Sequence, residues 1–139
     1  MGLAWRDEVE DVAGVSVRMQ VLLLDGQALC YIGGASSPRL DTLAAATPTR
    51  FSPVPSTTAL LSQGAPDSSD ACSRMAARIS QKAGRMIFLS YNLTPADAAK
   101  VNASPEMLEA AVERRVLDAL NAARAPAAVP AAPVDQPPL

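Results

Sequence analysis

A chain of 139 residues, 49% hydrophobic and with a formal net charge of −2, suits one domain with appendages. Its 12 Lys and Arg residues are scattered, which argues against the basic stripe that a nucleic-acid groove uses to displace counterions. There is no His, so Ser-His and Cys-His nucleophiles and His-containing metal sites are excluded together.

The opening "MGLAWRDEVED" lacks the basic start and apolar run of a signal peptide. Arg6 stands where a myristoylation motif wants Ser or Thr. Apolar runs fall far short of the ~18 residues that span a bilayer. A soluble chain, cytoplasmic with the nucleus as a second location and without membrane contact, is expected. Residues 1–14 read as a flexible acidic N-terminus.

From Val15 the chain alternates: Val15, Val17, Met19, Val21 and Leu23 mark a strand of period two. Asp25-Gly26 then predicts a type I′ hairpin turn, with positive φ at both central residues. A second strand runs from Gln27 to Ile32, and Gly33-Gly34 ends it. "LDTLAAAT" (Leu40 to Thr47) is ambiguous, because its alanines favour helix while its position suggests a strand. Pro48, Pro53 and Pro55 break any helix nearby, and "STTALLS" (Ser56 to Ser62) reads as a short strand.

A helix follows, with N-cap candidates Asp67, Ser68, Ser69 and Asp70 and an apolar stripe of Cys72, Met75, Ala76 and Ile79. Lys82 and Gly84 close it. "RMIFLSYNL" is a strand entered directly from that helix. Ser104-Pro105-Glu106 starts a second helix, striped by Leu108, Val112, Val116, Ala119 and Leu120 and ending near Asn121. The Pro/Ala-rich stretch over 124–139 reads as a disordered tail, leaving 15–123 as the domain.

These elements predict an α+β fold: a single, mostly antiparallel sheet of four to five strands in the order β-β-β-β-α-β-α, with two helices on one face. The two-residue turn pairs Leu24 with Gln27, Leu22 with Leu29 and Gln20 with Tyr31. One face then carries Val17, Met19, Val21, Leu23, Ala28, Cys30 and Ile32 and belongs beneath the helices. The other carries Arg18, Gln20, Leu22, Leu24, Gln27, Leu29 and Tyr31. In the later strand Met86, Phe88, Ser90 and Asn92 are assigned to this mixed face. Aliphatic, aromatic and amide groups so combined suit contact with another protein. The mixed face is therefore expected to pack on a partner sheet, through Gln20, Leu22, Leu24, Leu29, Tyr31, Phe88 and Ser90.

Catalysis finds little support. Ser90 and Tyr91 point to opposite faces and have no base in view. Asp67 and Asp70 are more simply caps, and the Gly-Gly pair lacks the pattern and Lys of a phosphate loop. Only generic acids with Lys82 or Lys100 remain for an enzyme. Cys30 and Cys72 read as buried thiols, and the sequons at Asn92 and Asn102 as chance matches. No cofactor or metal is expected.

The ordered series "PVPSTTALLS", "DSSD", "RMAARISQKAGRMIFLSYNL" and "MLEAAVERRVLDAL" resembles the proteasome assembly chaperone 4 family, with "FLSYNL" the most distinctive piece. The hairpin with Asp25 at its tip, Gly33 at its exit and "PRLDTLAAAT" also fit, so the likeness runs from about Val15 to Asn121. The Thr94 to Ser104 loop looks longer than the family's connection, and both termini lack a counterpart. The resemblance implies a non-enzymatic chaperone that heterodimerises, sheet to sheet, with proteasome assembly chaperone 3. It further implies that the pair binds proteasome α-type subunits and promotes the α ring of the 20S proteasome. The alternatives are an unrelated dimerising α+β scaffold of the roadblock or profilin-like kind, and a small enzyme.

Overall fold

The structure, a computed structural model, describes residues 4–35, 39–63 and 66–124. Its strands are β1 (Ala4–Val12), β2 (Val15–Leu24), β3 (Gln27–Gly34), β4 (Thr42–Thr49), β5 (Ser52–Ser62) and β6 (Met86–Tyr91). The helices are α1 (Pro66–Ala83) and α2 (Pro95–Ala99), which flank β6, and α3 (Pro105–Arg124). One sheet contains all six strands in the order β1-β2-β3-β6-β4-β5. β3 and β6 run parallel, and every other neighbouring pair is antiparallel. The α+β class thus stands, with one strand and one short helix more than expected.

The β2–β3 hairpin has the predicted register, Leu24 opposite Gln27 and Leu22 opposite Leu29. Its turn differs from the prediction. Only Gly26 has positive φ, at 76°, so Asp25-Gly26 is not a type I′ turn. Another hairpin lies where residues 1–14 were expected to be loose. Ala13 (φ 53°) and Gly14 (φ 90°) turn the chain, and Ala4–Val12 pairs with β2 along its whole length. Charge hid this strand. Its helix-side positions Arg6, Glu8 and Glu10 are half-buried, Arg6 pairs with Glu8, and Arg115 of α3 reaches Glu10.

The alternation of β2 and β3 decides where the core sits. Val17, Met19, Val21, Leu23, Ala28, Cys30 and Ile32 are all buried, as the hairpin sorting predicted. Ala44 and Ala46 of β4 and Ile87 and Leu89 of β6 extend this layer. Short alanine side chains let α1 lie close over β4 and β5, while α3 covers β1 and β2. The helical stripes predicted from spacing, Cys72 to Ile79 and Leu108 to Leu120, meet the sheet here and are buried.

Helix ends follow their signals in part. Gly84 (φ 68°) ends α1, donating its N–H to Ser80 O at 2.8 Å. Helix α1 already begins at Pro66, so Asp70 lies inside the first turns; the side chains of the other cap candidates, Asp67, Ser68 and Ser69, lie outside the described residues. Ser104 Oγ accepts from Met107 N at the start of α3. The unpredicted α2 is a capping box: Thr94 accepts from Asp97 N, and Asp97 accepts from Thr94 N. Of the expected 124–139 tail, Arg124 closes α3 and the rest lies outside the described residues. Among the described residues no helix is long and apolar enough to cross a membrane.

Glu113 of α3 ties the two long helices together. Arg78 Nε donates to one carboxylate oxygen at 2.6 Å and Lys82 Nζ to the other at 2.8 Å. Burial pushes this carboxyl upward, but the hydrogen bonds from Lys82 and Arg78 outweigh it and hold it below the ordinary value of 4.5. A depressed native value stabilises the fold above the unfolded pKa, and the contribution disappears as pH falls through the native one. Glu113→Gln should therefore melt a few degrees lower at pH 7, with the gap to wild type closing below about pH 4. Parallel melting curves at all pH values would refute the ion-pair account.

Candidate partner-binding face

The two long helices, α1 and α3, lie on one side of the sheet, and pairing registers define what the other side presents. Trp5 stands opposite Leu22, Leu22 opposite Leu29, Leu29 opposite Phe88, Phe88 opposite Ala45 and Ala45 opposite Thr58. These six residues form one transverse row, apolar over five strands and about 24 Å wide at ~4.8 Å per strand. Trp5 is 56% and Leu29 39% exposed, while Leu22 and Phe88 are half-buried by their neighbours in the row. Leu24, Met86 and Leu43 border it, also half-buried.

Polar groups mark one end of the face. Arg18 grips Asp7 with two hydrogen bonds, Nη2 to Oδ2 at 2.8 Å and Nε to Oδ1 at 3.1 Å. These bonds hold the Asp7 carboxyl below its usual range and raise Arg18 in turn. Tyr31 lies across Gly33, where an added Cβ would fall 2.4 Å from the phenol oxygen, so a larger residue there would push the Tyr31 ring aside. The Tyr31 hydroxyl donates to Arg39 O at 2.7 Å and accepts from Arg39 N at 3.1 Å. Arg39, just before β4, is thereby held against this end of the face.

Six of the seven predicted face residues, Gln20, Leu22, Leu24, Leu29, Tyr31 and Phe88, are brought together and at least partly exposed. Ser90 is not available. It has the expected strand parity but is 2% exposed, donating to Thr42 O at 2.6 Å and accepting from Asn92 Nδ2 at 2.8 Å. Asn92 is buried as well. Its Oδ1 accepts from Asp41 N at 2.7 Å and Thr42 N at 3.1 Å, and its Nδ2 also donates to Ile32 O at 3.0 Å. Thr42 Oγ1 donates to Tyr91 O and accepts from Tyr91 N. The polar end of "IFLSYNL" is a lock between three strands.

Trp5 and Val9 of β1 belong to the face and were missed. Their i, i+4 spacing matches one side of a strand, but acids between them masked the signal. The thiols offer no reactive centre on the face: burial pushes Cys30 up to about 12 and also raises Cys72, whose Sγ donates to Leu89 O. Among the described residues no three His, Cys, Asp or Glu side chains gather as metal ligands. A groove of about 650 Å³ between α1 and α3 is lined by charges of both signs, including the Arg78, Lys82 and Glu113 cluster.

Comparison with known proteins adds two findings. The family described as proteasome assembly chaperone 4 matches residues 16–93. A chain in a crystal structure titled as a novel chaperone complex for yeast 20S proteasome assembly is similar in fold, with a TM-score of 0.68 at 16% identity. That similarity covers 88% of this chain and 98% of the yeast one. No curated protein matches the sequence.

Proposed function

The chain belongs to the proteasome assembly chaperone 4 family, and from that premise we propose that it is a non-enzymatic assembly chaperone pairing with proteasome assembly chaperone 3. In this reading the partner's sheet covers the Trp5 to Phe88 row, and the pair binds α-type subunits and promotes the α ring of the 20S proteasome. The observation that carries it is the apolar row, left open by the described residues, on a sheet whose opposite face is closed by helices. Sheet-on-sheet packing buries such a row against another ~10 Å away. Residues 4–12 are a strand where a roadblock or profilin-like module would open with a helix, which favours the chaperone reading over that scaffold.

Such a chaperone acts by differential affinity. It binds the correctly ordered precursor more tightly than wrong partners and loses affinity as the ring matures. Neither step needs nucleotide or metal, and the work is placed in the cytoplasm, with the nucleus as a second location. Affinity capture of the full chain from cells, read by mass spectrometry, should recover chaperone 3 and α-type subunits. Their absence under gentle extraction would overturn the assignment.

A further inference from the structure

The β4–β5 hairpin extends past the sheet that supports it. Strand β6 pairs with β4 only over Ala44–Ala46, whereas β4 and β5 stay paired as far as Thr49 and Ser52. Three residues of β4 therefore run on as part of a two-stranded ribbon, about 10 Å at ~3.3 Å per residue. At its tip Phe51 is 91% exposed, and Val54, further along β5, is 61% exposed. The chain has two Phe; one lies on the sheet face and the other stands in water.

The tip is stiff. Phe51 N donates to Thr49 Oγ1 at 3.1 Å, and Val54 N donates to Ser52 Oγ at 3.2 Å. Pro48, Pro53 and Pro55 fix φ on both limbs of the ribbon. A backbone restrained this way loses little further conformational freedom when the ring it carries docks. Arg50 is the one charged residue between Thr42 and Gln63. A single projecting ring with a cation beside it complements a concave apolar pocket with carboxylates on its rim. It does not complement a flat second sheet.

We infer that the hairpin tip, Phe51 with Arg50 beside it, is the anchor for the client, entering an acid-rimmed apolar pocket. This rests on the function proposed above, which makes the client a proteasome α-type subunit. Because the tip projects along the strands and the row lies on the sheet face, client and sister chaperone engage different surfaces.

The test uses the full chain purified with chaperone 3, titrated against individually purified α-type subunits. Phe51→Ala should leave the melting temperature and the pairing with chaperone 3 unchanged while weakening subunit binding roughly ten- to thirty-fold. Phe51→Trp should retain most of the affinity, and Arg50→Glu should slow association and reduce its salt dependence. A photo-crosslinker at position 51 should label the subunit and not chaperone 3. Wild-type affinity in Phe51→Ala, or labelling of chaperone 3 instead, overturns the anchor alone. If the wild-type pair binds no α-type subunit, the client reading falls and the anchor with it.

Discussion

Leu22→Asp should abolish the proposed pairing with proteasome assembly chaperone 3 while leaving the helical circular dichroism of the chain at its wild-type value. Leu22 sits between Trp5 and Leu29 in the transverse row. In the free chain a carboxylate there stays half-exposed and hydrated, so the cost to folding is small. Beneath a partner sheet the same carboxylate is stripped of water with no cation opposite it among the row residues, and an unpaired buried charge costs several kcal/mol. Removal of the Leu contact itself adds about 1–3 kcal/mol at the centre of an interface. Together these amount to at least a ~100-fold loss of affinity, which size-exclusion chromatography and titration calorimetry resolve. Leu29→Asp should do the same. Unchanged pairing in either variant would show that the partner uses another surface.

That experiment draws on residues whose placement is readable without coordinates, and the reason is geometric. A two-residue turn at Asp25-Gly26 fixes β2 against β3, and strict alternation then sorts every side chain in the hairpin to one face or the other. The turn's own dihedrals do not matter to the sorting, so an incorrect turn type left the register intact. The helical stripes were legible for the same reason, because Cys72 to Ile79 and Leu108 to Leu120 repeat at a period that only a helix satisfies. Strand β1 was not legible. Its inner side is charged: Arg6 and Glu8 neutralise each other, but Glu10 is met by Arg115, some hundred residues along the chain, and no local pattern reports such a partner. Its turn uses Ala13 at positive φ, a conformation alanine rarely adopts.

The polar end of β6 shows the complementary limit. Parity placed Ser90 on the open face correctly, but parity says nothing of what lies above a strand end. There Asp41 and Thr42, at the start of β4, meet Ser90 and Asn92, and Asn92 supplies bonds that neighbouring strands would otherwise exchange. The sequence marks a change from apolar to polar at Ser90, which reads equally as an exposed rim or a buried network. Only the long-range partners Asp41, Thr42 and Ile32 separate the two.

Asn92→Ala should accordingly be among the most destabilising single substitutions outside the apolar core. It leaves the N–H groups of Asp41 and Thr42 without their acceptor and removes a donor from Ser90 Oγ and Ile32 O. Each buried group left unsatisfied costs about 1–3 kcal/mol, and water entering beside the half-buried Asp41 recovers part of it. A net loss of about 3 kcal/mol is a large share of the 5–15 kcal/mol typical of a domain, and lowers Tm by roughly 10–15 °C. Asn92→Asp separates the two halves of the lock. It keeps an acceptor for both backbone N–H groups but turns an oxygen toward Ile32 O, so it should fall between wild type and Asn92→Ala. Calorimetric melting of the three proteins decides the matter, and a Tm for Asn92→Ala within about 2 °C of wild type would refute the lock. Because Arg39, two residues before Asp41, holds Tyr31, Asn92→Ala should also weaken the proposed chaperone 3 binding, by less than Leu22→Asp does.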